Sequence, residues 1–500
     1  MLPYLRRRRE NLELNRMQQL AKDPFRPTLH FTPPFGWMND PNGLVYVNNE
    51  YHLFYQYFPY ANKWGPMHWG HAVSADLRNW QHLPPALVPD NKGMCFSGSA
   101  VVDWRNTSGL FDNESQPGVL AFYTACIAYD DGRDSDQMQS LAYSKDGGFS
   151  WSKLADNPVL PNPGLKDFRD PKVIWHEQSQ HWVMVVTEGQ EVGFYRSKDL
   201  KQWEKTANFG LNEGKHDEMP WECPDLFPII LDGSEICYWV LIVGVQRCSH
   251  AGGSGTQYFI GQFDGERFIN HHDADTVLWL DYGKDYYAAQ TWSDVTNGRR
   301  TSIAWMSNWL YANDVPTQAW RSAMSAPRDL KLSQTQSGLR LLSSLPNLWL
   351  NESNTMIAKE KTLESGDSLV ISENYQAGIL DGTLHLLSRG SSIAISPLGS
   401  ECLTYNIERN EQNIVVTTSR KVGAEGEENY NNLFRHETSL TIPYSESLQF
   451  TLIVDRCSSE LLLQDGEYCF TELCFPIEAR SIDFYCSTGK GVVKNLKFSE

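Results

Sequence analysis

The chain lacks several common features, and each absence removes a class of function. No apolar run is long enough to span a bilayer, so a membrane-crossing helix is not expected. Positive charge is scarce: 43 Lys and Arg against 61 Asp and Glu leave a net charge of -18, which argues against nucleic acid or an anionic membrane surface as the main partner. The local exception, Arg6 to Arg9, sits on an N-terminal segment of helical composition, Glu10 to Lys22, and reads as a solvated terminal face. No apolar core follows that basic start, so no signal peptide is visible and the chain as written reads as cytoplasmic, with secretion left open. The ten cysteines contain no Cys-x-x-Cys pair and no His/Cys cluster at ligand spacing, and neither a metal nor a cofactor is expected. Most read as reduced, buried small residues. The closest spacings, Cys469 with Cys474 and Cys237 with Cys248, are the candidates for a bridge in an oxidising compartment.

Long helical periodicity is also missing. From Leu53 to about Leu330 the apolar segments are short, rich in β-branched and aromatic residues, and separated by Gly, Pro, Asn and Asp, which is an all-β pattern. Inside it a corner repeats: Ser74-Ala-Asp-Leu-Arg-Asn-Trp80, Ser144-Lys-Asp-Gly-Gly-Phe-Ser-Trp151 and Ser197-Lys-Asp-Leu-Lys-Gln-Trp203, each after a strand-turn-strand unit. A weaker fourth copy ends at Phe263-Asp-Gly-Glu-Arg-Phe268, and a fifth begins near Tyr286. One four-stranded blade cannot bury both faces alone, so such a repeat predicts a five-bladed β-propeller. After Ser344 the alternating strands of a β-sandwich take over. The expected division is an N-terminal extension over 1–27, a propeller over 28–335, a linker over 336–350 and a sandwich over 351–500. Length alone requires at least two domains; it says nothing about whether the chain forms a homo-oligomer. Seventeen tryptophans are many for this length, and two readings stand: they fill cores, or several line a sugar site.

Three acids stand out by position. Asp40 lies in Trp37-Met-Asn-Asp-Pro-Asn-Gly43, where Asp40 to Gly43 reads as a tight turn running into a strand. Asp170 lies in Phe168-Arg-Asp-Pro-Lys-Val173, and Glu222 in Trp221-Glu-Cys-Pro-Asp-Leu-Phe227. Each opens a repeat and is followed within two residues by proline, a station beside the propeller axis. Three convergent carboxylates suit glycosidic cleavage, in which one ionised acid attacks and one protonated acid assists the leaving oxygen. Glu222, between Trp221 and Cys223 and near like charges, is expected to have a raised pKa and to act as general acid/base. Asp40 is expected to stay ionised as nucleophile, and Asp170 to stabilise the oxocarbenium-like transition state, with Arg169 beside it.

These three motifs resemble the signatures of glycoside hydrolase family 32, the invertase, inulinase and levanase family. The similarity continues through His52-Leu-Phe-Tyr-Gln56, Trp64-Gly-Pro-Met-His-Trp-Gly-His71, Phe96-Ser-Gly-Ser99, Asp281-Tyr-Gly-Lys-Asp-Tyr-Tyr287, Trp305-Met-Ser-Asn-Trp309 and Pro316-Thr-Gln-Ala-Trp-Arg-Ser-Ala-Met-Ser325. In the tail it rests on Val454-Asp-Arg456, Glu460-Leu and Phe475-Pro. The resemblance implies a five-bladed propeller followed by a β-sandwich, and a retaining, exo-acting β-fructofuranosidase with the three acids in the roles given above. It further implies that Asn39, Gln56, Trp64, Phe96, Ser97, Arg169 and Trp320 bind the terminal fructosyl unit and that Asp225 supports the acid. The implied partners are sucrose and β-fructans of the inulin and levan types. Two alternatives share the motifs: a fructosyltransferase, and a non-catalytic carbohydrate-binding protein on the same scaffold.

Overall fold

The β-branched and aromatic runs pair as antiparallel strands in a computed structural model that describes residues 23–111, 118–350, 355–373, 375–421, 428–476 and 480–500. The expected N-terminal helix, with Arg6 to Arg9, lies outside the described residues. Five sheets follow one another along the chain, each with its first strand innermost: Gly36–Val47, Met94–Asp103, Phe168–His176, Glu222–Ile230 and Tyr287–Thr291. Each innermost strand packs against the next, and the fifth packs back against the first. Ser293 bonds to Leu44 and Tyr46 across that closing seam, and Trp320–Arg321 adds a short parallel strand to Gly36–Trp37. The result is the five-bladed propeller expected from the repeats.

The cores lie between the blades. Val45, Phe54, Trp69, Val102 and Val119 pack blade one on blade two; Leu120, Phe122, Val173 and Met184 pack two on three. Val185, Phe194, Leu226 and Leu241 pack three on four, and Ile242, Ile260, Ala289 and Leu332 pack four on five. Each fully buried aliphatic or aromatic side chain contributes about 1.5–3 kcal/mol, and these clusters draw their members from two adjacent blades, so each blade relies on its neighbours for burial. The repeated corners are architecture: Asp76 accepts the backbone N–H groups of Arg78 and Asn79, and the Trp80 indole donates to the Leu77 carbonyl at 3.1 Å. Asp146 with Trp151 builds the same corner, and in the third copy Asp199 accepts from Lys201 and Gln202.

Two six-stranded sheets form the sandwich, spanning Thr355 to Ser499. Two expectations need correction here. The proposed linker over 336–350 contains Gly338–Ser344, which pairs with Arg328–Thr335 as the outermost strand of blade five. Its alternating burial, with Leu339 and Leu341 inward, gives it a propeller face to cover. The described cysteine bridge joins Cys402 to Cys474, Cα atoms 6.3 Å apart. Neither pair expected from spacing forms it: Cys469 lies on the extended strand Tyr468–Leu473 and Cys474 just past its end, roughly 16 Å along extended chain and too far to bridge. Cys237 opens the strand Cys237–Val245 and Cys248 lies beyond its far end, both free.

Buried charge joins the two domains. His30 bridges Asp455 at 2.9 Å and Glu460 at 2.8 Å; Arg328 reaches Asp281 at 2.9 Å and Glu460 at 2.6 Å; Arg420 holds Asp285 and Glu472. Burial alone would depress His30, but its hydrogen bonds and the charges of Asp455 and Glu460 override burial and push its pKa up to about 9. A folded value above the ordinary 6.5 gives a contribution fully present below pH 6.5 and lost as pH rises through 9. The shift corresponds to about 3 kcal/mol. Glu460 is opposite in sign: despite burial, Arg328 and His30 bring it down to about 2, so its share is lost as pH falls below 4.5. Thermal melts across pH should therefore show a stability loss between pH 6.5 and 9 that His30→Ala largely removes while lowering stability at neutral pH. An unchanged alkaline limb in that variant would assign the loss elsewhere.

Candidate active site

The same irregularity interrupts all five innermost strands. In each, two residues face one on the second strand of the blade: Asn39-Asp40 opposite Gln56, Phe96-Ser97 opposite Thr124, Asp170-Pro171 opposite Val186, Cys223-Pro224 opposite Val243, and Ala288-Ala289 opposite Ala304. A bulge of this kind kinks the strand and aims a side chain out of the ladder. Asp170, Cys223 and Ala288, each first in its bulge, all have positive φ, 66°, 49° and 54°. The expected tight turn at Asp40 is absent; Gly36–Val47 is one strand, in which this bulge and another before Val45 absorb the turn-forming residues. The three acids occupy successive stations of the repeat: Glu222 just before its bulge, Asp170 first and Asp40 second.

Around that ring the blades exchange hydrogen bonds. Ser97 Oγ donates to Asp40 Oδ2 at 2.7 Å, and the Cys223 N–H donates to Asp170 Oδ2 at 2.9 Å. The Asp170 N–H donates to Thr124 Oγ1, and Gln290 Nε2 donates to the Cys223 carbonyl. The Cys223 sulfur lies 3.5 Å from Asp40 Oδ2 and 3.6 Å from Asp170 Oδ2, so one thiol touches both acids. Burial and then the surrounding carboxylates push that thiol's pKa well up, keeping it a donor. Ser97 and the thiol both fall on Oδ2, and among the described residues Asp40 Oδ1 has no comparably close donor. Gly98, next to Ser97, has no room for a side chain: a Cβ there would stand 1.9 Å from the Phe122 carbonyl oxygen.

Arg169 grips Glu222 Oε1 through Nε at 3.2 Å and Nη2 at 3.0 Å while Asp167 holds its Nη1 at 2.6 Å. Tyr287 donates to Glu222 Oε2 at 2.6 Å. Burial raises the pKa of Glu222, and the charge of Asp40 raises it further against the pull of Arg169 and Tyr287. Burial likewise pushes Asp170 up to about 7, with Arg169 opposing and the other two acids adding. Asp40 is raised as well, by burial, against the hydrogen bonds of Ser97, Asn39 and Cys223. The expected contrast between an ordinary Asp40 and a perturbed Glu222 is therefore replaced by three raised acids. What separates them is their neighbours: hydroxyl and thiol donors on Asp40, a cation and a phenol on Glu222.

Asn39, Gln56, Phe96, Ser97 and Arg169 lie in or beside this ring. Asn39 accepts from the Trp37 indole at 2.8 Å and Gln56 donates to the Cys95 carbonyl at 3.0 Å. Trp64, 43% exposed, meets Phe96 edge-on with ring centroids 6.2 Å apart, at the rim. Two expected residues are elsewhere. Trp320 is 1% exposed, packs among Met306, Tyr311 and Phe434, and donates its indole N–H to Asp23. Asp225 does not touch Glu222. It accepts from Thr291 and pairs with Lys172 at 2.9 Å, because the bulge turns it toward the axis one layer deeper. Lys172 also donates to the Thr291 carbonyl, so this pair ties together the innermost strands of blades three, four and five.

Residues not singled out for the site beforehand are Cys223, Tyr287 and Trp309. Trp309 stacks on Trp37 at 6.0 Å and 23°, within a cluster containing Phe58, Phe96, Cys223 and Tyr287. A signal was present for Tyr287, which opens the fifth repeat at the station Glu222 holds in the fourth. Trp309→Ala should raise KM by at least about tenfold, the lower end of what a lost apolar contact of about 1–3 kcal/mol gives. Trp320→Phe should leave KM unchanged and lower the unfolding free energy by about 1–2 kcal/mol through the lost bond to Asp23. Kinetics and denaturation of both variants check this, and a KM effect confined to Trp320→Phe would reverse the assignment.

A buried carboxylate held by a hydroxyl and a thiol, beside a partly buried acid gripped by a cation where the innermost strands of a propeller converge, is the machinery of a glycoside hydrolase. Comparison with known proteins agrees. Residues 30–343 match the glycosyl hydrolases family 32 N-terminal domain and residues 372–500 the family 32 C-terminal domain. The chain belongs to glycosyl hydrolase family 32. A levanase from Bacillus subtilis (strain 168) is 42% identical over 488 residues, 95% of this chain and 70% of that one. An invertase from Debaryomyces hansenii is 36% identical over 485 residues, 91% and 88% of the two chains. The crystal structure of exo-inulinase from Aspergillus awamori superposes with a TM-score of 0.83 at 31% identity, covering 95% of this chain and 98% of that one.

Proposed function

We propose that the protein is a retaining, exo-acting β-fructofuranosidase that releases terminal fructose from sucrose and from β-fructans. The observation that carries this reading is the pairing of Asp40, held by Ser97 and Cys223, with the partly buried Glu222, held by Arg169 and Tyr287 and raised by the charge of Asp40. Asp40 Oδ1 attacks C2 of the terminal fructosyl unit as Glu222 delivers its proton to the departing glycosidic oxygen, leaving a fructosyl ester on Asp40 and a carboxylate on Glu222. Arg169 and Tyr287 then stabilise the charge that Glu222 has acquired. Esterification also removes the charge of Asp40, whose repulsion had helped to raise Glu222, so the acid of the first step becomes the base of the second. Water loses a proton to Glu222 and attacks C2, and Asp40 leaves as carboxylate. Asp170, fixed by the Cys223 N–H, faces the sugar hydroxyls and the positive charge that develops on the ring.

The relatives named levanase, invertase and exo-inulinase support this substrate range. Products from sucrose, inulin and levan, followed in time, test it. Fructose should be the sole early product from both polymers. Early release of oligosaccharides, or accumulation of longer fructosides in dilute sucrose, would overturn exo-hydrolysis.

A further inference from the structure

The propeller axis has a second mouth. Beyond the Lys172–Asp225 pair, at the far ends of the innermost strands, lies a cavity of about 390 Å³ whose lining includes none of the three acids. Its walls carry Trp104, Arg105, Trp175, Glu177, Asp294 and Arg300. Trp104 is 64% exposed, a poor use of an indole in packing. Its ring is nevertheless fixed: the indole N–H donates to Asp294 Oδ1 at 2.9 Å, and Asp294 Oδ2 accepts from the Val102 N–H at 3.1 Å. Trp175 has one face covered by the Arg105 guanidinium at 4.6 Å. The cavity thus presents immobilised aromatic surface beside polar groups of both signs.

The charges cancel. Arg105 pairs with Glu177 at 3.4 Å, Arg300 faces Asp294 and Asp225, and Lys172 is committed to Asp225 and the Thr291 carbonyl. An anion or cation would find no uncompensated partner there. A neutral ring bearing many hydroxyls would, since flat apolar faces take its C–H groups while Arg300, Glu177 and Asp294 exchange hydrogen bonds. The volume lies within the range of small-ligand pockets and admits one or two sugar units.

We propose that this far mouth is a second, non-catalytic saccharide site that holds a short stretch of fructan while another chain end occupies the funnel. The identity of the sugar rests on the function proposed above; the site itself does not. Binding to two surfaces would retain a polymer between cuts and lower the concentration needed for turnover.

Isothermal titration of the Asp40→Asn protein with a short inulin-type fructo-oligosaccharide should resolve two sites. Adding Trp104→Ala should remove one and leave the other unchanged. In the otherwise native enzyme, Trp104→Ala should leave sucrose turnover as it was, which also reports an intact fold, and raise KM for polymeric fructan several-fold. A single site in Asp40→Asn, or two sites that survive Trp104→Ala, would overturn the proposal. Native enzyme inactive on sucrose and fructans would instead refute the proposed function, with the titration still reporting on the far mouth.

Discussion

Asp40→Asn should reduce turnover of sucrose and fructans by roughly four orders of magnitude or more, the scale on which removal of a nucleophile is felt. The fold should survive, because the substitution keeps the shape of the side chain and an oxygen for Ser97. The amide nitrogen cannot form the ester through which the reaction passes. The variant should still bind its sugar, since Asn39, Gln56, Arg169 and the aromatic cluster of Trp37, Phe96 and Trp309 are untouched. Steady-state kinetics, with binding measured on the same sample, check both halves. Turnover within tenfold of the native enzyme would remove Asp40 from the role of nucleophile.

For Glu222→Gln the size of the loss should depend on the leaving group. On sucrose, whose departing oxygen needs a proton, the variant should fall about 10²–10⁴-fold, the range of general acid catalysis. On an aryl fructoside whose phenolate leaves unaided, the first step should be nearly normal, and the fructosyl-enzyme should accumulate because the base of the second step is also gone. Added azide should then speed release, as a small anion attacks without base assistance. The alkaline limb of the pH profile should disappear as well, because it reports loss of the proton that burial and Asp40 hold on Glu222. Equal losses on both substrates would deprive Glu222 of the acid role, whatever its pKa.

Much of this was readable in the chain because blades repeat and acids need stated surroundings. The Ser-x-Asp corners marked the blades, since only a side chain that accepts several backbone N–H groups can close that turn. The carboxylates were legible because no ordinary turn explains three of them in similar frames. What escaped reading depends on cross-strand register. Without its bulge, the strand would point Glu222 and Asp225 to opposite faces; with it, both look to the axis at different depths, and no local propensity announces the extra residue. The two indoles of the Trp305–Ser325 region differ for a similar reason. Which of Trp309 and Trp320 reaches the funnel depends on how the chain turns back between Ser307 and Ala319, and Asp23 claims Trp320 from nearly three hundred positions away. The Asp281–Tyr287 motif is split in the same manner: its acids at 281 and 285 lock onto the sandwich, and only Tyr287 reaches the chemistry.

Lys172 and Asp225 have a kinetic consequence. By tying three innermost strands together between the acids and the far cavity they leave the proposed fructosyl-enzyme one side of approach, so the departing sugar, the incoming water and any competing hydroxyl must use it in turn. In a crowded syrup the traffic on that side shifts toward sugars, and the proportion of fructosyl groups handed to them instead of to water should climb with concentration, without any change in the residues that make and break the bond.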